Sequence, residues 1–366
     1  MADRLDTPEA GGPETHLTPA VILGNETEEV LLAGAAAFPE FRSLGELTVE
    51  KLREISGRAG LDFATALLYD RVQHSQPHAD FIKFIDQQRG EGVSARRNCI
   101  VGVVPAAFFK EAPNSGADGR LILEEARQLG LSVQQIPVAS TGRLEKNAEI
   151  ILEWLAKNKQ SEIILASLCK GGADVKIATG LPGAAELFRP VSAWINICGT
   201  LNGSPVAEWL LASGPRQFLA WAYCKCRGAS LDFLSELKSS PGNSIIRPLV
   251  LPGSMRLINV VGFPLRRHLT NRFMRMCYDG VSRGGPTDGG VLLGDVCRLP
   301  GLIYPVWGGD HYLRPEPRAR RIISSVLEYI IGDDNQTTPV PIDEIPASDR
   351  TGQRFSGSPR ANSTGH

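Results

Sequence analysis

The chain has 366 residues, a formal net charge of −1, and 42% hydrophobic and 22% charged residues. That length suits one large α/β domain with insertions, or two small domains, and the composition is that of a globular protein. A near-zero charge excludes a general nucleic-acid footprint, which needs a basic excess, and every apolar run is interrupted too early by glycine, proline or charge to cross a bilayer.

Residues 1–19 are rich in Pro, Gly, Glu and Thr, lack the apolar core of a secretory signal, and are expected to be disordered. Residues 20–97 read as a helical N-terminal extension. Thr48 can cap a helix over Leu47–Ala59 that carries Val49, Leu52 and Ile55 on one face. Ala64, Leu67 and Leu68, then Phe81, Phe84 and Ile85, continue the period.

The pattern changes at Asn98. Cys99–Val104 is a continuous apolar run, as in a strand buried on both faces. A helix is predicted over Gly119–Gly130, a strand over Val133–Val138, a helix over Leu144–Asn158 and a strand over Glu162–Ala166. Further strands are predicted over Val191–Cys198, Arg256–Phe263 and Gly301–Trp307. Strands alternating with helices imply a mostly parallel sheet with helices on both faces, here over residues 98–332. The interval from Leu201 to Leu257 exceeds a simple crossover and reads as an inserted helical cap at about 203–252. Its Trp209, Phe218, Trp221 and Tyr223 suit either an acyl pocket or ordinary helix packing. Residues 333–366 have no apolar period and are expected to be a disordered tail.

The seven cysteines, Cys99, Cys169, Cys198, Cys224, Cys226, Cys277 and Cys297, are odd in number and scattered. Free thiols in a reducing, cytoplasmic compartment are expected. Cys224-Lys225-Cys226 has one intervening residue and no second pair at ligand spacing, so no metal is expected. No Walker loop or dinucleotide fingerprint follows a strand, so no cofactor is expected either.

The segment Ile164-Leu165-Ala166-Ser167-Leu168-Cys169-Lys170-Gly171-Gly172 runs a buried strand straight into a helix. A nucleophile elbow needs small residues two before and two after the nucleophile, because the strained turn presses those neighbours together. Centred on Cys169 the flanks are Ser167 and Gly171, both small. Centred on Ser167 they would be Leu165 and Cys169, and the frame fails. Cys169 is therefore the candidate nucleophile. A thiolate is a strong nucleophile, and a helix N-terminus favours negative charge.

This stretch resembles the elbow of the α/β-hydrolase superfamily in its lipase-like form Gly-His-Ser-Lys-Gly-Gly, with Ser167, Leu168 and Cys169 in place of the glycine, histidine and serine. Cysteine at this position is similar to dienelactone hydrolases and polyhydroxyalkanoate synthases, which handle lactones and thioesters. The resemblance implies the order nucleophile, acid, histidine along the chain. His311, in Gly308-Gly309-Asp310-His311 after the last strand, matches the histidine loop. Asp288, in Gly285-Pro286-Thr287-Asp288-Gly289-Gly290-Val291, resembles the lipase acid loop, with Asp279 and Asp310 as alternatives. The oxyanion hole implied is the Lys170 N–H with that of Ala106 or Ala107, Ala107 being preferred. Ile197-Cys198-Gly199-Thr200-Leu201-Asn202-Gly203-Ser204 is similar to the Gly-Thr-Pro phrase of lipases.

The expected protein is an ester or thioester hydrolase or an acyltransferase with a Cys169–His311–Asp288 triad and a covalent acyl-enzyme. It would act on a small-molecule or carrier-bound acyl substrate, with neither nucleic acid nor membrane as partner. The alternative is a non-catalytic binding protein on a hydrolase scaffold.

Overall fold

The computed structural model describes residues 27–88, 98–253 and 255–332. The expected disordered ends lie outside these residues, as do His16 and His366.

The runs read as buried strands form one sheet: β1 (Cys99–Val104), β2 (Ser132–Gln135), β3 (Glu162–Leu168), β4 (Val191–Ile197), β5 (Arg256–Phe263) and β6 (Leu302–Trp307). Its order is β2-β1-β3-β4-β5-β6, and every neighbouring pair is parallel. β2 is shorter than its apolar pattern. Ile136 still donates to Val103 at 2.8 Å, but Pro137 has no N–H to continue the ladder. β3 is longer than expected, because Val104 pairs with Ser167 and carries the strand up to the elbow.

Neighbouring residues of a strand face opposite sides of the sheet. At Gly102 a Cβ would lie 2.6 Å from the Trp154 ring of α6 (Leu144–Lys157), whereas Val103 packs against Gly119, just before α5 (Arg120–Gln128). α5 and α6 therefore lie on opposite faces. The face with α6 also carries α7 (Lys170–Thr179), and the C-terminal α14 (Glu316–Gly332) packs beside α5. A six-stranded parallel sheet in this order, sandwiched by helices and interrupted after β3 by a sharp strand-to-helix turn, is the α/β-hydrolase fold.

Among the described residues four α-helices precede the sheet: α1 (Glu28–Ala37), α2 (Val49–Ala59), α3 (Leu61–His74) and α4 (His78–Gln87). α3 and α4 pack against β6. Tyr69 meets the rings of Phe263 and Trp307, and Phe81 those of Tyr304 and Tyr329. Glu28 fixes α1 to the sheet by accepting from Trp307 Nε1 at 2.7 Å and pairing with His268 Nε2 at 2.7 Å. β6 is an edge strand, where Pro305 leaves no ladder bond unmade on an inner neighbour.

After α7 comes the short α8 (Ala184–Leu187). Between β4 and β5 the chain forms α9 (Pro205–Leu211), α10 (Gly214–Cys226) and α11 (Asp232–Glu236). Between β5 and β6 lie α12 (Arg272–Val281) and α13 (Leu293–Val296). These insertions sit at the carboxyl ends of the strands, where open parallel sheets place their sites.

Candidate active site

Cys169 occupies the turn between β3 and α7 with φ 49° and ψ −118°. A non-glycine residue at positive φ is strained, and such strain clusters at functional sites. The turn survives because its neighbours have no bulk. At Gly171 a Cβ would lie 2.5 Å from the Val104 carbonyl oxygen and 2.7 Å from that of Pro105. At Gly172 it would meet Asn196 Oδ1 at 2.6 Å, and at Gly199 the same oxygen at 1.9 Å. The Cys169 N–H donates to Ile197 at 3.1 Å, and its carbonyl accepts from Thr200 and Gly172, each at 3.0 Å. The Gly199-Thr200 phrase thus packs directly behind the elbow. Cys169 keeps partial exposure, while Ser167 is fully buried and its Oγ accepts from Trp194 Nε1 at 2.8 Å. Ser167 is a packing residue beneath the turn.

The structure brings His311 and Asp288 together. Nδ1 of His311 lies 2.8 Å from Asp288 Oδ2. The other carboxylate oxygen accepts the N–H groups of Gly290 and Val291 at 2.7 and 2.8 Å. The acid loop closes on itself in this way, and Gly290 packs flat against the imidazole: a Cβ there would lie 2.2–2.6 Å from three ring atoms. His311 is 4% exposed and Asp288 fully buried. No described residue bonds to His311 Nε2. Burial of the ring works against its charge, yet the charges of Asp288 and Cys169, with the hydrogen bond to Asp288, hold its pKa well above the ordinary histidine value. The part its charge plays in that shift makes Cys169 a neighbour of the ring.

The alternatives for the acid are engaged elsewhere. Asp279 forms an exposed bidentate pair with Arg266. Asp310 caps the backbone of Tyr312 and Arg314 and binds the Arg314 guanidinium. Among the other described histidines, His268 is tied to Glu28 and His74 bonds to the Asp70 carbonyl. His78 is buried without a partner for Nδ1, and desolvation pushes its pKa down to about 4.

For the oxyanion hole, the Ala106 N–H already donates to the Ala117 carbonyl at 2.8 Å. No described residue accepts from the N–H of Ala107 or of Lys170. Phe108 follows at φ 62° and packs against Phe233 of α11 and Tyr223 of α10, so the cap rests on this loop. The Lys170 side chain points inward. Its Nζ lies 2.8 and 2.9 Å from the two Asp174 oxygens and 5.6 Å from the Phe233 ring centroid. Asn147 Nδ2 donates to the same carboxylate at 2.9 Å. Burial raises the Asp174 pKa, opposed by Lys170 and Asn147.

The sequence reading passed over three neighbours of the site. Cys198, at the end of β4 with φ 46°, places its sulfur within 4.8 Å of donor atoms of Asp288 and His311. It accepts the Gly262 N–H at 3.4 Å, and desolvation and the Asp288 charge push its pKa up. Cys277 of α12 is buried and interacts with Cys169, with a pKa raised by desolvation to about 12. Tyr312 packs edge-on to His311 at 5.3 Å. No motif marks Cys277 or Tyr312; Cys198 lies inside the Gly-Thr phrase, a signal that could have found it. Cys198, Asp288 and His311 are the one group among the described residues with three donors placed for a metal ion. Two of the three are already bonded to each other.

No family model and no curated protein matches the sequence. Among solved structures, a metagenomic carboxyl esterase shares 18% identity over 82% of this chain and 95% of its own, with a TM-score of 0.49. The mature lipase BlEst2 of Bacillus licheniformis shares 19% over 65% of this chain and 91% of its own, at 0.44. Est1E of Butyrivibrio proteoclasticus shares 11% over 65% and 90%, at 0.39.

Proposed function

We propose that the protein is an acyl-transfer enzyme, an ester or thioester hydrolase or an acyltransferase, with Cys169 as nucleophile, His311 as base and Asp288 as the acid that orients it. The observation that carries this is the His311 ring: Nδ1 bound to Asp288 at 2.8 Å, Nε2 unbonded, and a charge that both Asp288 and Cys169 sustain. An imidazole held in one orientation with its far nitrogen free is what an elbow nucleophile requires.

In this reading His311 takes the Cys169 proton, or the two rest as an ion pair. The sulfur attacks an ester or thioester carbonyl. The Lys170 and Ala107 N–H groups hold the oxyanion, and the imidazolium returns its proton to the leaving group. A thioester-linked acyl-enzyme remains, for water or another acceptor to take up. The free cysteines fit a reducing, cytoplasmic setting. Among the described residues no helix is long and apolar enough to cross a membrane.

The test is Cys169→Ala against a panel of nitrophenyl esters and acyl thioesters, with intact-mass detection of the acyl-enzyme in the parent protein. Turnover and the acyl adduct should both vanish while the circular dichroism spectrum is unchanged. Full activity in the variant would remove the mechanism, and an unreactive parent would favour the binding-protein alternative. Added alcohol or amine then separates transfer from hydrolysis: release of free acid alone rules out the transferase.

A further inference from the structure

The cap exposes an apolar face that no other part of the described residues covers. α10 buries only Cys224. Phe218 and Leu219 keep 62% and 68% of their surface, Trp221 and Tyr223 keep 48% and 46%, and Phe218 stacks on Trp221 at 5.8 Å. α12 adds exposed Phe273 and Met276. Trp209 of α9 joins the two helices. The Arg216 guanidinium lies 4.6 Å from its ring centroid, and Gly280 of α12 lies so close that a Cβ there would be 2.4 Å from the ring. Trp209 and Met276 line one groove with Arg272 and Arg275. The surface is continuous from α10 across α9 to α12.

Its charge is one-sided. Between Trp209 and Leu231 the charged residues are Arg216, Lys225 and Arg227, all basic. α12 presents Arg272 and Arg275. Of the bordering carboxylates, Asp279 is paired with Arg266, Glu208 accepts the Ser239 N–H, Glu111 accepts from Ser140 behind α10, and Asp232 lines the cleft beside Phe218 and Trp221. A second copy of the chain docking face to face would set these basic groups against one another. An anionic lipid surface would neutralise them, and Trp, Tyr, Phe and Leu are the side chains that settle at the headgroup boundary. Tyr223 also touches Phe108 of the oxyanion loop, with ring centroids 6.2 Å apart, so this face borders the mouth of the site.

We propose that the α9–α10–α12 face docks on the surface of an anionic lipid bilayer. This departs from the sequence-based expectation of no membrane partner, which rested on the lack of a spanning segment; an amphipathic face needs none.

The test is co-sedimentation of the full chain with pure phosphatidylcholine vesicles and with mixed phosphatidylcholine–phosphatidylserine vesicles, at low and high salt. Binding should require phosphatidylserine and weaken with salt. Arg216→Glu with Lys225→Glu should weaken it by at least about 20-fold, since each basic residue near such a surface is worth about five-fold. Leu219→Ser with Trp221→Ser should weaken it as well, and unchanged melting temperatures would show that these variants are folded. Cys169→Ala should bind as the parent does, which separates this inference from the acyl-transfer mechanism. Equal binding to pure phosphatidylcholine, no vesicle binding, or self-association abolished by the Leu219 and Trp221 changes would each overturn it.

Discussion

Gly290 lies against the His311 ring so closely that the space a methyl group would need is already occupied by three imidazole atoms. The same residue donates its N–H to Asp288. One backbone segment therefore sets both the acid and the plane of the base. Gly290→Ala should displace the ring and lower kcat/KM about 100-fold, the scale of an ångström misplacement. The melting temperature should change little. Steady-state kinetics with a nitrophenyl ester measures this, and activity within a factor of a few would show that the ring position is not controlled from here.

Asp288→Asn keeps the shape of the loop but removes the charge that sustains the imidazolium. The expected loss in kcat is about 10³- to 10⁴-fold, as when a triad histidine is left in the wrong tautomer. Iodoacetamide labelling of Cys169 near neutral pH should slow at least about ten-fold in His311→Ala. Site-resolved mass spectrometry reads this against the other thiols, and labelling of Cys169 no faster than theirs in the parent would count against an activated nucleophile.

The raised His311 pKa makes a stability prediction with a definite sign. The folded protein holds the proton more tightly than the unfolded chain, whose histidine titrates near 6.5. The stabilisation is fully present below about pH 6.5 and is lost as pH rises through the folded-state value. The difference in unfolding free energy between the parent and His311→Gln should therefore shrink on going from pH 6 to alkaline pH. A difference that stayed constant or grew would contradict the assignment.

Lys170→Met removes one partner of a fully buried pair and leaves the Asp174 carboxyl without its ammonium. A destabilisation of about 3 kcal/mol is expected from breaking such a pair. Lys170→Met with Asp174→Leu should recover much of it, because an apolar pair needs no desolvated charge. Urea denaturation midpoints decide between additive and compensating effects.

Much of this was legible because the signals are local. Cys99–Val104 is apolar throughout and Arg256–Phe263 is apolar but for Arg256 and Asn259, and only a strand covered on both faces tolerates such runs. The elbow is legible because the turn dictates small residues at fixed offsets, so Ser167 and Gly171 place the nucleophile without a literal Gly-x-Ser-x-Gly match. The approach of Asp288 to His311 depends on the crossing between β5 and β6, and only the order of the loops hinted at it. Cys198 and Cys277 stayed hidden because their contact with the site is made across strands and helices far apart in the chain. The direction of the cap aromatics was also closed to the sequence: a helix with rings on several faces does not say which of them the fold will cover.

The turn at Cys169 is shaped by what its neighbours lack. Positions 171, 172 and 199 leave no room for a Cβ, and the tight contacts come from backbone, Asn196 and Leu201. The stage is thus indifferent to which atom stands on it. Replacing sulfur by oxygen at residue 169 would be a one-atom exchange inside an unaltered mould, and the ratio of the two rates, on esters and on thioesters, would isolate the chemistry of the chalcogen from every effect of shape.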